Sequence, residues 1–107
     1  MPEIKSIYFY HDPDRTGIDY FDQDDEEACI DLVDGRRLYC WFFTLARIEE
    51  VMKKNLDSGE DLSGSFFWAN NVIVIRSIRK PLMVSVLKYL IEIEEDISAF
   101  GHLDPLG

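Results

Sequence analysis

The run Glu27–Phe43, EACIDLVDGRRLYCWFF, decides how this 107-residue chain is read. Two β-prone segments, Glu27–Val33 and Arg36–Phe43, flank Asp34-Gly35, the dipeptide that best suits a type I′ turn because both central positions of that turn need positive φ. A two-residue loop there predicts Cys29 opposite Cys40, Ile30 opposite Tyr39 and Ala28 opposite Trp41. One face would then collect Ala28, Ile30, Leu32, Tyr39, Trp41 and Phe43, and the other Cys29, Asp31, Val33, Leu38, Cys40 and Phe42. The facing cysteines satisfy the geometry of a disulfide, but a reducing compartment argues against one, and two cysteines outside any Cys-x-x-Cys spacing make metal or redox roles weak.

Outward from this hairpin, Glu3–Tyr10 alternates as a strand with Ile7 and Phe9 on one side, and His11–Glu27 reads as a long polar loop. Thr44 can cap a helix whose Leu45, Ile48, Met52 and Leu56 recur at three- and four-residue steps as a buried stripe. Ser65–Ser77 is strand-like with a break at Asn70-Asn71, and Val72–Ile75, apolar on both faces, predicts a central strand. Pro81 opens a second helix with a stripe of Leu82, Val86, Leu90, Ile93, Ile97 and Phe100, widened by Met83, Leu87 and Ile91 and ended by Gly101. The order predicts an α+β fold: a single, mainly antiparallel sheet of four to five strands with two helices packed on one face, in one domain spanning 1–107. No internal repeat or linker interrupts it.

Composition narrows the function classes. The chain is 47% hydrophobic and 13% aromatic, well inside the globular range. It carries no basic-then-apolar leader and no apolar stretch long enough to span a bilayer, so a cytoplasmic location is expected. Net charge is −10, and residues 1–34 hold eleven acids against Lys5 and Arg15, whereas residues 35–107 are nearly balanced. Such a field repels nucleic acid and anionic membranes, and it speeds encounter with a cationic protein. Arg76, Arg79 and Lys80 form a small basic cluster expected to pair with the acidic loop.

The acidic loop carries two motif matches. The stretch IYFYHDPDRTG, residues 7–17, resembles the first motif of haloacid dehalogenase-like phosphatases, which would make Asp12 the nucleophile, Asp14 the acid/base and Mg²⁺ the cofactor. That chemistry also needs a downstream lysine and a later acidic pair at the ends of parallel strands, and Asp24-Asp25 comes far too early. Asp12-x-Asp14-x-Thr16-Gly17 also resembles the front half of an EF-hand calcium loop, but the twelfth position is Gln23 rather than a bidentate glutamate. Both matches fail on context, so no catalytic residue, metal or cofactor is expected. His11 and His102 lack a nucleophile at motif spacing, and Trp41 and Trp68 read as core aromatics more readily than as ligand platforms.

Residues 65–100, SFFWANNVIVIRSIRKPLMVSVLKYLIEIEEDISAF, resemble the closing strand–helix unit of small immunity proteins that bacteria encode beside polymorphic or contact-dependent toxins. The shared features are an aromatic-Trp-x-Asn segment, a Val/Ile strand, a helix and a closing Phe. The resemblance implies a cytosolic, non-enzymatic inhibitor that binds one toxin domain, often a basic nuclease. Charge placement points the same way: an acidic loop with Tyr20 and Phe21 offers long-range attraction plus aromatic anchors, and Asp14, Asp19, Tyr20, Asp22, Asp24 and Asp25 are the expected contacts. A small acidic secretion chaperone, acting as a homodimer on unfolded segments, is the alternative.

Overall fold

The computed structural model describes residues 2–17, 23–60, 64, 66–67 and 69–103. The order is β1 (Ile4–Phe9), α1 (Pro13–Thr16), β2 (Asp25–Leu32), β3 (Arg37–Phe43), α2 (Leu45–Ser58), β4 (Val72–Val74), α3 (Lys80–Lys88) continued by a π turn (Tyr89–Ile93), and β5 (Gly101–Leu103). The architecture is α+β, with one five-stranded sheet. β1, β2 and β3 form an antiparallel meander; β4 lies parallel to the Trp41–Phe43 end of β3, and β5 antiparallel to its Arg37–Tyr39 end. The two short strands thus share one edge of β3, and they meet where Asn71 packs against Gly101 so closely that a Cβ there would lie 2.7 Å from the Asn71 side-chain nitrogen.

The hairpin differs by one residue from the two-residue loop. Leu32 N–H donates to Arg36 C=O at 2.9 Å, Gly35 N–H donates to Leu32 C=O at 3.0 Å, and Gly35 has φ of 93°. Asp34 stays at negative φ, so the connection is a three-residue loop, Val33-Asp34-Gly35, with glycine in the left-handed position that closes such loops with a bulge. Asp34 favours this form by accepting from Arg36 N–H and Nε at 3.0 and 2.8 Å. Every pair slips by one: Ala28 faces Cys40, Cys29 faces Tyr39 and Ile30 faces Leu38.

The slip decides the core. Ala28, Ile30, Leu32, Leu38, Cys40 and Phe42 now share one face and are all at most 1% exposed, packed in one cluster with Phe9, Met83, Leu87 and Ile91. Tyr39 and Trp41, expected beside Ala28, Ile30 and Leu32, turn to the other, half-buried side with Cys29 and Asp31. Cys29 and Cys40 are free thiols on opposite faces, and burial pushes the Cys40 thiol up to about 12.

Three further expectations are corrected. Val72–Val74 is the edge strand beside β3, not a central one, with Val74 exposed. The last helix ends at Ile93 rather than running to Phe100. Glu92, Glu94, Glu95 and Asp96 crowd the negative end of its dipole, and Glu95 takes a left-handed φ of 54°, leaving Gly101 to begin β5. Met83, Leu87 and Ile91, four residues apart and fully buried, form the centre of its stripe, whereas Ile93 is exposed.

α2 departs furthest from its sequence pattern. Thr44 caps it as expected, accepting from Arg47 N–H at 3.2 Å, and Gly59 ends it in the left-handed conformation. Yet Leu45 and Leu56 are 72% and 62% exposed, and Asn55 is its one buried residue among those described. The cluster under the sheet is completed by Ile75, Ile78, α3, the π turn and Phe100, and none of the described residues of α2 belongs to it.

Two measurements check this arrangement. A maleimide should modify Cys29 but not Cys40 in the folded protein, and no Cys29–Cys40 disulfide should appear on mild oxidation, as read by intact-mass spectrometry. In urea unfolding, Leu87→Ala should cost about 2–5 kcal/mol, as core truncations do, and Leu56→Lys less than about 0.5 kcal/mol.

Candidate functional site

The acidic segment begins where β1 leaves the sheet. Asp12 precedes Pro13 and caps α1, its Oδ1 accepting from Asp14 N–H at 3.0 Å, and Gly17 closes the turn with a left-handed φ of 73°. An Asp-Pro pair is the combination a helix start favours, so this part of the motif has a local explanation. Arg15 folds back, its guanidinium donating to the carbonyls of Phe9 and Tyr10 and lying 5.0 Å from the centre of the Tyr8 ring.

Lys80, at the start of α3, closes the segment from the far end of the sequence. Its Nζ donates to Asp12 Oδ1 and Oδ2 at 3.1 and 3.0 Å and to Asp14 Oδ2 at 2.6 Å. Both Asp12 oxygens are thereby engaged, and an ammonium stands between the two carboxylates that the phosphatase-like reading would give to Mg²⁺. Burial of Asp12 opposes its ionisation, but the hydrogen bonds from Lys80 and the Asp14 amide, with the charges of Lys80 and Arg15, outweigh it and hold the carboxyl below the usual aspartate range. Asp14 and then Asp12 raise Lys80 in return. Within α1 the Thr16 hydroxyl donates to the Asp12 carbonyl.

Asp24 and Asp25 sit where β2 meets α2. Thr44 N–H and Oγ1 donate to the Asp24 carbonyl at 2.9 and 3.2 Å, and Oγ1 also reaches Asp24 Oδ1 at 3.2 Å. Asp25 pairs with Arg47 at 3.5 Å, an arginine it shares with Glu50 at 3.2 Å. Sequence reading placed Asp25 and Glu26 in a loop; both belong to β2, and Glu26 is 1% exposed. Its carboxylate accepts from His11 N–H and Glu27 N–H, both at 2.9 Å, and lies 3.1 Å from His11 Nδ1, which makes the buried charge tolerable.

Of the six expected contacts, Asp14, Asp24 and Asp25 lie near the start of β2 and the start of α3, and Asp19, Tyr20 and Asp22 lie outside the described residues. Trp68 lies outside them too. The basic cluster pairs with the acidic segment only through Lys80; Arg76 and Arg79 have no partner among the described residues. Beside this rim lies a cleft of about 670 Å³, lined by Pro13 and Asp24, the start of α2, the 74–78 segment and the start of α3. Sequence reading missed it, although the Arg76–Lys80 run following a Val/Ile strand was its one visible signal. Among the described residues no three His, Cys, Asp or Glu side chains gather to hold a metal ion, and no helix is long and apolar enough to cross a membrane.

No family model matches the chain, and neither a curated protein nor a solved structure matches it.

The lysine clamp has a pH signature. A carboxyl lowered by folding contributes stability that is present above its unfolded pKa and lost as pH falls through the folded one; a lysine raised by folding contributes until pH rises through its folded value. Wild type should therefore exceed Lys80→Gln in urea midpoint at neutral pH, and the gap should shrink in strong acid and again at strongly alkaline pH. A gap of constant size across that range would assign the loss to packing instead.

Proposed function

We propose that this protein is a non-enzymatic immunity protein, cytoplasmic and bacterial, that neutralises a basic toxin domain by docking it against the N-terminal acidic segment. The observation that carries this reading is incomplete internal neutralisation. Asp12 and Asp14 share one lysine, Asp25 and Glu50 share one arginine, and Asp24 meets a neutral hydroxyl. Each cluster keeps a net negative charge, and the Asp14 side chain remains 82% exposed. With Asp19, Tyr20 and Asp22 adjoining in sequence, the segment supports electrostatic steering toward a cationic surface. The partial resemblance over residues 65–100 supplies the class of partner.

One observation favours a second reading. The stripe on α2, with Leu45 and Leu56 exposed and Ile48 and Met52 half-buried, suits a small chaperone or adaptor that pairs with itself or with apolar segments.

Co-expression with the toxin encoded beside its gene should restore growth. The purified pair should associate with a rate that falls on the order of tenfold from low to high salt, and Asp14→Asn with Asp25→Asn should slow it further. Absence of protection sinks the immunity reading. A homodimer dissolved by Leu45→Glu with Leu56→Glu, in a protein that ignores the toxin, would favour the second.

A further inference from the structure

The charge distribution contains an anomaly that the acidic segment does not explain. Four of the described arginines have partners: Arg15 the Phe9 and Tyr10 carbonyls and the Tyr8 ring, Arg36 Asp34, Arg37 Asp31, and Arg47 Asp25 and Glu50. Arg76 and Arg79 have none among the described residues, in a protein with 21 acids and 11 bases. Both line the same cleft, and the cation that follows them, Lys80, is already committed to Asp12 and Asp14. Two guanidinium groups left beside one cavity repel each other, and an oxyanion between them removes that repulsion.

The cleft wall supplies the rest of a ligand's requirements. Leu45, Val74, Ile75, Ile78 and Pro81 give it an apolar lining, and about 670 Å³ lies within the range of pockets that enclose small organic molecules. α3 starts at this wall with no side-chain cap, so the positive end of its dipole lies beside the cleft. Asp24 lines the cleft too, and its carboxylate would accept from a hydroxyl or amino group on the ligand body. One carboxylate head satisfies one guanidinium bidentately; two guanidinium groups suit the three terminal oxygens and higher charge of a phosphate monoester.

We propose that this cleft binds an organic phosphate of mononucleotide size, its phosphate held by Arg76 and Arg79 and its apolar or aromatic body lying against Leu45, Ile75 and Ile78. The proposal does not rest on the toxin-docking reading: Asp24 borders both surfaces, but the phosphate is held by cations that the acidic segment leaves free.

Isothermal titration of the full chain with adenosine monophosphate, inorganic phosphate and adenosine, at low and moderate salt, tests it. The monophosphate should bind saturably at one site, at least about tenfold tighter than either fragment, because both ends of the cleft are used. Arg76→Gln and Arg79→Gln, substitutions at exposed positions, should each weaken it by about tenfold, and Lys88→Gln, at the other end of α3, should leave it unchanged. No saturable binding by the monophosphate, or equal losses in all three variants, would overturn the proposal. Toxin protection that survives in Arg76→Gln with Arg79→Gln would leave the immunity reading standing whichever way the titration falls.

Discussion

The left-handed backbone at Gly35 is the constraint on which the structure rests. Because side chains alternate along a strand with a period of two, one residue gained or lost in a hairpin loop exchanges the faces of one strand relative to its partner. With Gly35 at φ of 93°, the even-numbered residues of β2 and β3 converge, and Ala28, Ile30, Leu32, Leu38, Cys40 and Phe42 become a continuous apolar surface. A two-residue turn would have set Leu38, Cys40 and Phe42 beside Asp31. Sequence chemistry permits both loops at Asp-Gly; the burial of six apolar side chains selects one.

From that choice the division of labour between the faces follows. The core face is filled by Phe9 from β1 and by Met83, Leu87 and Ile91 from the last helix. The opposite face keeps polar pairs that cross strands: Asp31 binds Arg37 at 2.6 Å, which holds the Asp31 carboxyl below its usual range, and the Tyr39 hydroxyl donates to Glu27 at 2.9 Å. Those pairs exist only in the observed register. Trp41 meets Phe43 edge-on at 4.9 Å, and Phe43 meets Phe67 at 5.5 Å, so these two aromatics of β3 are tied to the segment before β4, whereas Phe42 joins the main core.

The sequence announced the elements more clearly than their contacts. The three meander strands, the Thr44 cap and the Pro81 start are local signals, set by turn residues, capping side chains and periodicity, and each is found within two residues of its expected place. What stayed hidden is non-local. The stripe of α2 has the same spacing as a buried one, yet Leu45 and Leu56 are exposed and none of its described residues joins the main cluster. β5 is three residues with no periodicity of its own, recruited by the free edge of β3. At the candidate site, the Asp12–Asp14 spacing was legible but its partner was not, because the lysine that binds both arrives from 66 and 68 residues away. The isolation of Arg76 and Arg79 is likewise a property of three-dimensional placement.

That distance sets an order of assembly. The β1–β2–β3 meander closes through short loops, whereas β4 must return across all of α2 to pair in parallel, and α3 follows it. Contacts between sequence-distant segments carry the larger loop-closure cost and form after local ones have gained a platform. Until α3 packs, Asp12 and Asp14 lack the ammonium that joins them, and only the nearby Arg15 offsets their charge. Lys80 acts as the latch of that last step: its ammonium relieves the repulsion only when the meander and the final helix have already met in the native arrangement.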